Sequence, residues 1–165
     1  MREVGFSLGS NIGDKIGYIA RALENLFSDP SMEFVASSSF YRTAPWGYED
    51  QDWFVNLCAV GRTSLSPADL LHLCKHAEQT VGRQETFRWG PRVIDIDILY
   101  YGEDEIAEPD LAIPHRELFN RGFVLVPLAE IRPDLILSGR SVGTEAERFV
   151  DEPMEIIAPP WAPET

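Results

Sequence analysis

"RWGPRVIDIDILYYG", residues 88–102, places two aspartates, Asp95 and Asp97, inside an otherwise apolar run. Val93, Ile94, Ile96, Ile98, Leu99, Tyr100 and Tyr101 are mostly β-branched or aromatic. Gly-Pro before them and glycine after them bound the run, which predicts a strand. Alternation puts Ile94, Ile96 and Ile98 on one face and both carboxylates on the other, with Cα atoms roughly 6.5–7 Å apart. Two such charges raise one another's pKa and destabilise an apolar setting. They are tolerated on a solvated face, or where a cation compensates both. Hard carboxylate oxygens suit Mg²⁺, which leaves room for the oxygens of a phosphate.

The charge pattern around this run favours the second arrangement. The chain of 165 residues has a net charge of −13, with 27 acids against 14 bases. That balance argues against nucleic acid or an anionic membrane as partner. Only Lys15 and Lys75 are lysines; twelve residues are arginine. Arg83, Arg88, Arg92, Arg116 and Arg121 flank the aspartate pair, and arginine forks suit phosphate oxygens. The combination suggests a Mg-bound polyphosphate.

The composition, 44% hydrophobic and 25% charged, predicts one compact domain over residues 1–165, with a core of about 3–137. No apolar run reaches the roughly 18 residues of a membrane span, and the first residues carry no signal-like apolar segment. A cytoplasmic protein is expected, with no obligate protein partner evident. Cys58 and Cys74 lie in apolar patterns and read as buried thiols, although two cysteines leave pairing open.

The elements follow from periodicity. Val4, Phe6 and Leu8 alternate with Gly5 and Ser7 in a first strand. Ile16, Ile19, Ala20, Leu23, Leu26 and Phe27 predict a helix over about 14–28, capped by Ser10 or Asn11. "MEFVASSSFYR" reads as one strand. "WFVNLCAVGR" reads as the next, with Trp53, Val55, Leu57 and Ala59 opposite Phe54, Asn56, Cys58 and Val60. A second helix starts at the Ser66 cap with Pro67 in its first turn and a Leu70, Leu73, Cys74, Ala77, Val81 stripe. With the aspartate strand the order is βαββαβ. This predicts an α+β, ferredoxin-like two-layer sandwich, an antiparallel sheet with helices on one face, plus a C-terminal extension. Residues 150–165 form an acidic, proline-rich tail expected at the surface.

"GSNIGD", "SSFYRTAPWG", Asn56, the opening stretch and "IPHRELFNRGFVLVPLAEI" together resemble the 6-hydroxymethyl-7,8-dihydropterin pyrophosphokinase family of folate biosynthesis, over about residues 4–137. The resemblance implies transfer of a diphosphoryl group from ATP to the pterin hydroxymethyl oxygen, with AMP released. It implies two Mg²⁺ ions on Asp95 and Asp97. It gives catalytic phosphate contacts to Arg92 and Arg121, and a nucleotide contact to His115. Arg83 opens a mobile loop, residues 83–91, that closes with Trp89 over the substrates. Lys75, Glu78, Ile98 and Arg116 complete the implied ATP set. For the pterin, Phe54 and Phe123 match the two sandwiching rings, and Asn56 the amide that reads the polar edge. Thr43, Ala44 and Trp46 supply further contacts, and Trp89 closes the pocket.

Some positions depart from the family pattern. Gln84 and Glu85 follow Arg83 where a second arginine is common, with Arg88 nearby. Asp110 and Ala112 stand in place of an arginine and a threonine, and Phe54 in place of tyrosine. A catalytically silent pterin- or nucleotide-binding module is the alternative from another class, and a Mg-dependent nucleotide hydrolase a third.

Overall fold

The computed structural model describes residues 1–44, 52–82 and 93–164. In chain order these form β1 (Arg2–Ser10), α1 (Lys15–Phe27), β2 (Met32–Ser37), β3 (Phe40–Thr43), β4 (Phe54–Thr63), α2 (Pro67–Val81) and β5 (Asp95–Tyr101). Two short strands follow, β6 (Ile106–Glu108) and β7 (Leu111–Ile113), then α3 (Gly122–Ile131), β8 (Ile136–Leu137), β9 (Arg140–Ser141), α4 (Val142–Ala146) and β10 (Met154–Ala158). The main sheet runs β10-β3-β4-β1-β5, with β2 also paired to β4, and every pairing in it is antiparallel.

Helix signals act where the sequence placed them, with one correction. Ser66 Oγ accepts the Asp69 N–H at 3.2 Å, Pro67 opens α2, and Gly82 ends it at φ 110°. This is the left-handed cap that glycine adopts without a Cβ clash. The cap of α1 is Asp14, whose Oδ1 accepts the Gly17 N–H at 3.1 Å, in place of Ser10 or Asn11. Its carboxylate also suits the positive helix end better than either neutral side chain.

The segment expected as one strand is two, β2 and β3, laid end to end along β4. Ser37 is opposite Ala59 and Tyr41 opposite Asn56, so this side carries one extra residue, a bulge. Ser38 bridges the gap: its N–H donates to Cys58 O at 2.8 Å, and its Oγ accepts the Cys58 N–H at 2.9 Å. Serine side chains that bond nearby backbone supply this kind of local interruption.

The face that carries Val4, Phe6, Leu8, Val55, Leu57, Ala59, Ile94, Ile96 and Ile98 packs on α1 and α2 as the main core. The opposite face is not left uncovered, which corrects the two-layer expectation. Cys58, Val60, Leu99 and Tyr100 pack there against Leu118, Val124, Leu125, Leu128, Leu137, Val142 and Ala146. Helices therefore lie on both faces, and the second set covers only part of its face. α3 is pinned from the side by Glu130, which accepts from the Ser39 N–H, the Ser39 hydroxyl and the Tyr41 hydroxyl. Cys58 and Cys74 are buried, unpaired thiols on opposite faces of the sheet.

The tail is more than surface chain. β10 extends the sheet beyond β3, and the Trp161 N–H donates to Ser37 Oγ at 3.0 Å. The Trp161 ring stands edge-on to Phe34, 5.2 Å between centroids.

Candidate active site

β5 reaches the site through a change of face. Its register with β1 slips by one residue, from Gly5 opposite Tyr100 to Phe6 opposite Ile98, which leaves Leu99 as the extra residue. Leu99 and Tyr100 consequently both enter the second core, while Tyr101 joins the first. Below the bulge the alternation is regular. Ile94, Ile96 and Ile98 are buried under the helices, and Asp95 and Asp97 stand on the other face, half-buried.

α2 fixes this strand through Glu78. Its side chain is buried, and Oε2 accepts the N–H of Ile96, between the two aspartates, at 2.8 Å. Lys75 Nζ lies 3.6 Å from the other oxygen. A charge-assisted bond from a buried carboxylate to a strand amide is stronger than a neutral one. It ties the backbone between the two acids to α2.

Asp97 is the electrostatic centre. Its Oδ2 lies 3.8 Å from Arg121 Nη1, and its Oδ1 lies 3.8 Å from His115 Nε2. Burial is the largest influence on this carboxyl, followed by the charge of Asp95, with Glu78 adding to both. Arg121 and Lys75 oppose them but do not prevail, and the pKa is pushed up to about 7. Burial, with Asp95 and Glu78 beside it, thus outweighs Arg121 and Lys75 at this carboxyl. His115 is pushed below its usual range by burial and by Arg121, so its imidazole is neutral near pH 7. Nδ1 accepts the Glu117 N–H at 3.1 Å, which places the ring proton on Nε2, facing the acids. The His115 N–H donates to Leu99 O at 2.9 Å, tying this loop to the bulge.

Arg121 occupies the position just before α3, with its guanidinium 5.6 Å from the Phe123 ring centroid. Phe123 is half-buried against the second core.

Across β1 lies a second cluster. Asn56 is 4% exposed in mid-strand, and its Nδ2 donates to Thr43 Oγ1 at 2.6 Å. Phe54 precedes it on the same face, half-buried. Gly9 stands opposite Asn56 on one side and opposite Asp95 on the other. The Asn56 and Asp95 backbones are thus two strand spacings apart, about 10 Å. A flat heterocycle can lie between an amide and an acid at that separation.

The structure thus brings together Thr43, Phe54, Asn56, Asp95, Asp97, His115 and Arg121 on or beside one sheet face. Glu78 and Lys75 act from behind it. Ala44 and Arg116 are exposed at its edges. The Ile98 side chain is 4% exposed and faces the helices, so a nucleotide contact at this position would use its backbone. Trp46, Arg83, Arg88, Trp89 and Arg92, with the loop of residues 83–91, lie outside the described residues. Sequence reasoning missed Gly9 as a site residue. The alternation of Gly5, Ser7 and Gly9 was its signal.

These features define the class: an α+β protein with an acid-centred polar site on one face of an antiparallel sheet. Residues 5–133 match the family described as 7,8-dihydro-6-hydroxymethylpterin-pyrophosphokinase, and the chain belongs to that family. A relative from Methylorubrum extorquens, a 2-amino-4-hydroxy-6-hydroxymethyldihydropteridine pyrophosphokinase, is 49% identical over 142 residues, 86% of this chain and 90% of its own. One of the same name from Aquifex aeolicus is 44% identical over 136 residues, 82% of this chain and 84% of its own. Among solved structures, Plasmodium falciparum HPPK-DHPS wild type with pteroate superposes with a TM-score of 0.72 at 15% identity. It covers 90% of this chain, which spans 42% of that one. At that identity the likeness shows the fold alone.

Proposed function

We propose that this chain transfers the diphosphoryl group of ATP to the hydroxymethyl oxygen of 6-hydroxymethyl-7,8-dihydropterin, a step of folate biosynthesis in the cytoplasm. The observation that carries it is the convergence of two clusters on one sheet face of a chain of this family. One is acid, arginine and histidine; the other is amide, hydroxyl and aromatic. The central order β5-β1-β4 with β2 and β3 beyond it supports reading the frame as ferredoxin-like.

The donor set fits Mg²⁺. Asp95 and Asp97 offer hard anionic oxygens on one face, and a cation between them would offset the burial and mutual repulsion that raise the Asp97 pKa. These two carboxylates would hold the metal, two ions in our reading. Bound there, Mg²⁺ would neutralise phosphate charge and acidify the attacking hydroxyl. The chain's own groups do the rest. Asp97 must lose its proton to act as a ligand, so it is competent above about pH 7 unless a cation lowers its pKa. Arg121 forks onto phosphate oxygens, and the Nε2–H of His115 donates to another without adding charge. Arg83 and Arg92 serve the same polyphosphate in this reading, with Trp89 and Trp46 on the pterin.

The pterin's ring N–H edge donates to Asn56 Oδ1, and its rings lie against Phe54 and Phe123. The hydroxymethyl oxygen attacks the β-phosphorus in line. The bond from that phosphorus to the α,β-bridging oxygen breaks, AMP departs with the bridging oxygen, and the hydroxyl proton is released. Catalysis of this kind is chiefly positioning and charge neutralisation.

AMP formation from ATP is the test, measured with and without hydroxymethyldihydropterin. Product only with both substrates supports the transferase. Product without pterin would point to a hydrolase, and tight binding without turnover to a silent module.

A further inference from the structure

β1 directs Val4, Phe6 and Leu8 to the helices and Gly5, Ser7 and Gly9 to the opposite face. Gly9, the last of these, lies between Asn56 on β4 and Asp95 on β5. A Cβ built on Gly9 would stand 2.6 Å from Asn56 Oδ1, and 3.7 Å from Asn56 Cγ and from a Phe54 ring carbon. These three nearest atoms all belong to the amide-and-aromatic cluster and none to the acids. The backbone at Gly9 is not in the left-handed region, so alanine could adopt its conformation. The atom it would strike is the end of a short, buried amide side chain, which must turn to make room and strains its bond to Thr43 Oγ1.

Turning that amide has a chemical consequence. Asn56 Nδ2 is committed to Thr43 Oγ1, and among the described residues Asn56 Oδ1 accepts no hydrogen bond. Oδ1 is thus the acceptor left for a ligand, held over the backbone of Gly9. We infer that Gly9 is a specificity-determining residue of the heterocycle pocket. Its missing side chain leaves a floor on which Asn56 presents Oδ1 to the N–H edge of a flat ring. A methyl group there would both fill the floor and push the acceptor off its mark. This rests on the reading that the pterin engages Asn56, and goes beyond it by assigning the selectivity to β1.

The test is Gly9→Ala in the full chain. 6-Hydroxymethylpterin is titrated calorimetrically with Mg²⁺ and a non-hydrolysable ATP analogue present, and the analogue is titrated alone. Loss of one aligned hydrogen bond predicts pterin affinity weaker by about tenfold or more. Analogue affinity should be nearly unchanged, and the melting temperature should fall by no more than about 2–6 °C, the cost of one strained buried hydrogen bond. A folded Gly9→Ala protein with wild-type pterin affinity, or with an equal loss of nucleotide affinity, overturns the inference. Asn56→Ala is run alongside. If it loses pterin and Gly9→Ala does not, the floor is wrong and the Asn56 reading stands; if neither loses it, both fall. Should Gly9→Ala fail to fold, wild-type protein labelled with ¹⁵N-glycine decides. Pterin must shift the Gly9 amide resonance more than those of Gly61 and Gly143, and an unmoved Gly9 signal refutes the assignment.

Discussion

Replacing Asp97 with asparagine should make the metal-free protein more stable, by an amount that grows with pH. In the folded chain its pKa is pushed up to about 7 from an ordinary 3.8, first by burial and then by Asp95. Between those two values the folded state binds more protons than the unfolded, so wild-type stability falls as pH rises through that window. The loss is complete above it. Each pH unit corresponds to 1.36 kcal/mol, about 4 kcal/mol for a group sealed from water. The Asp97 side chain is 33% exposed, and solvent screening brings this to about 2 kcal/mol. Asparagine keeps the shape and carries no charge, so it escapes the penalty. At about 2–4 °C per kcal/mol for a chain of this size, the variant should melt about 4–8 °C above wild type at pH 8. About a third of that gain should remain at pH 5. Differential scanning calorimetry in a chelator, at both pH values, reads this directly. A variant that melts at or below wild type at pH 8, or a difference indifferent to pH, would refute the electrostatic argument.

Other outcomes follow from single contacts. Asn56→Ala should weaken pterin binding by roughly 1–3 kcal/mol, through the ligand polar groups left unpaired, and spare binding of an ATP analogue; calorimetric titration checks both. Phe54→Ala should cost pterin affinity about tenfold through the lost ring contact, read in the same titration. Trp161→Ala removes a half-buried ring from Phe27 and Phe34. It should lower stability by about 1–2 kcal/mol in urea melts and leave turnover unchanged. Burial pushes both thiols well above their usual range. Ellman's reagent at pH 8 should therefore label neither in the native protein and both in denaturant.

Much of the site was legible because it is written in alternation. The period of two in β5 and β4 sorted Ile96 from Asp97 and Leu57 from Asn56, and the structure keeps that sorting. The Ser66 cap was legible because Pro67 fixes where α2 begins, whereas Ser10, Asn11 and Asp14 all offered a cap for α1 and nothing local singled out Asp14. Alternation fails where a residue is inserted. Leu99 and the Ser37–Ser39 segment are bulges, and nothing local in a run of strand-forming residues marks which one will be left over. α3 was hidden for a different reason. "GFVLVPLAEI" is apolar on nearly all sides and carries Pro127, which removes one helical hydrogen bond, so it shows no stripe. It forms because the second sheet face and Glu130 hold it. The pairing of β10 with β3 was equally invisible, since an acidic proline-rich tail gives no sign of which edge it will join. Gly9 illustrates the opposite case. The sequence displays it plainly, but its meaning depends on Asn56, 47 positions away, being its partner across the sheet.

The central claim is that Asp95 and Asp97 carry the metal-bound polyphosphate beside the pterin. It is tested most directly by AMP release from ATP in saturating Mg²⁺ and hydroxymethyldihydropterin, with Asp95→Asn and Asp97→Asn compared to wild type. The account predicts pterin-dependent AMP release in wild type. Each folded variant should lose at least about a hundredfold in rate, since a metal's charge stabilisation is worth several kcal/mol. Turnover near the wild-type rate in either variant would contradict it.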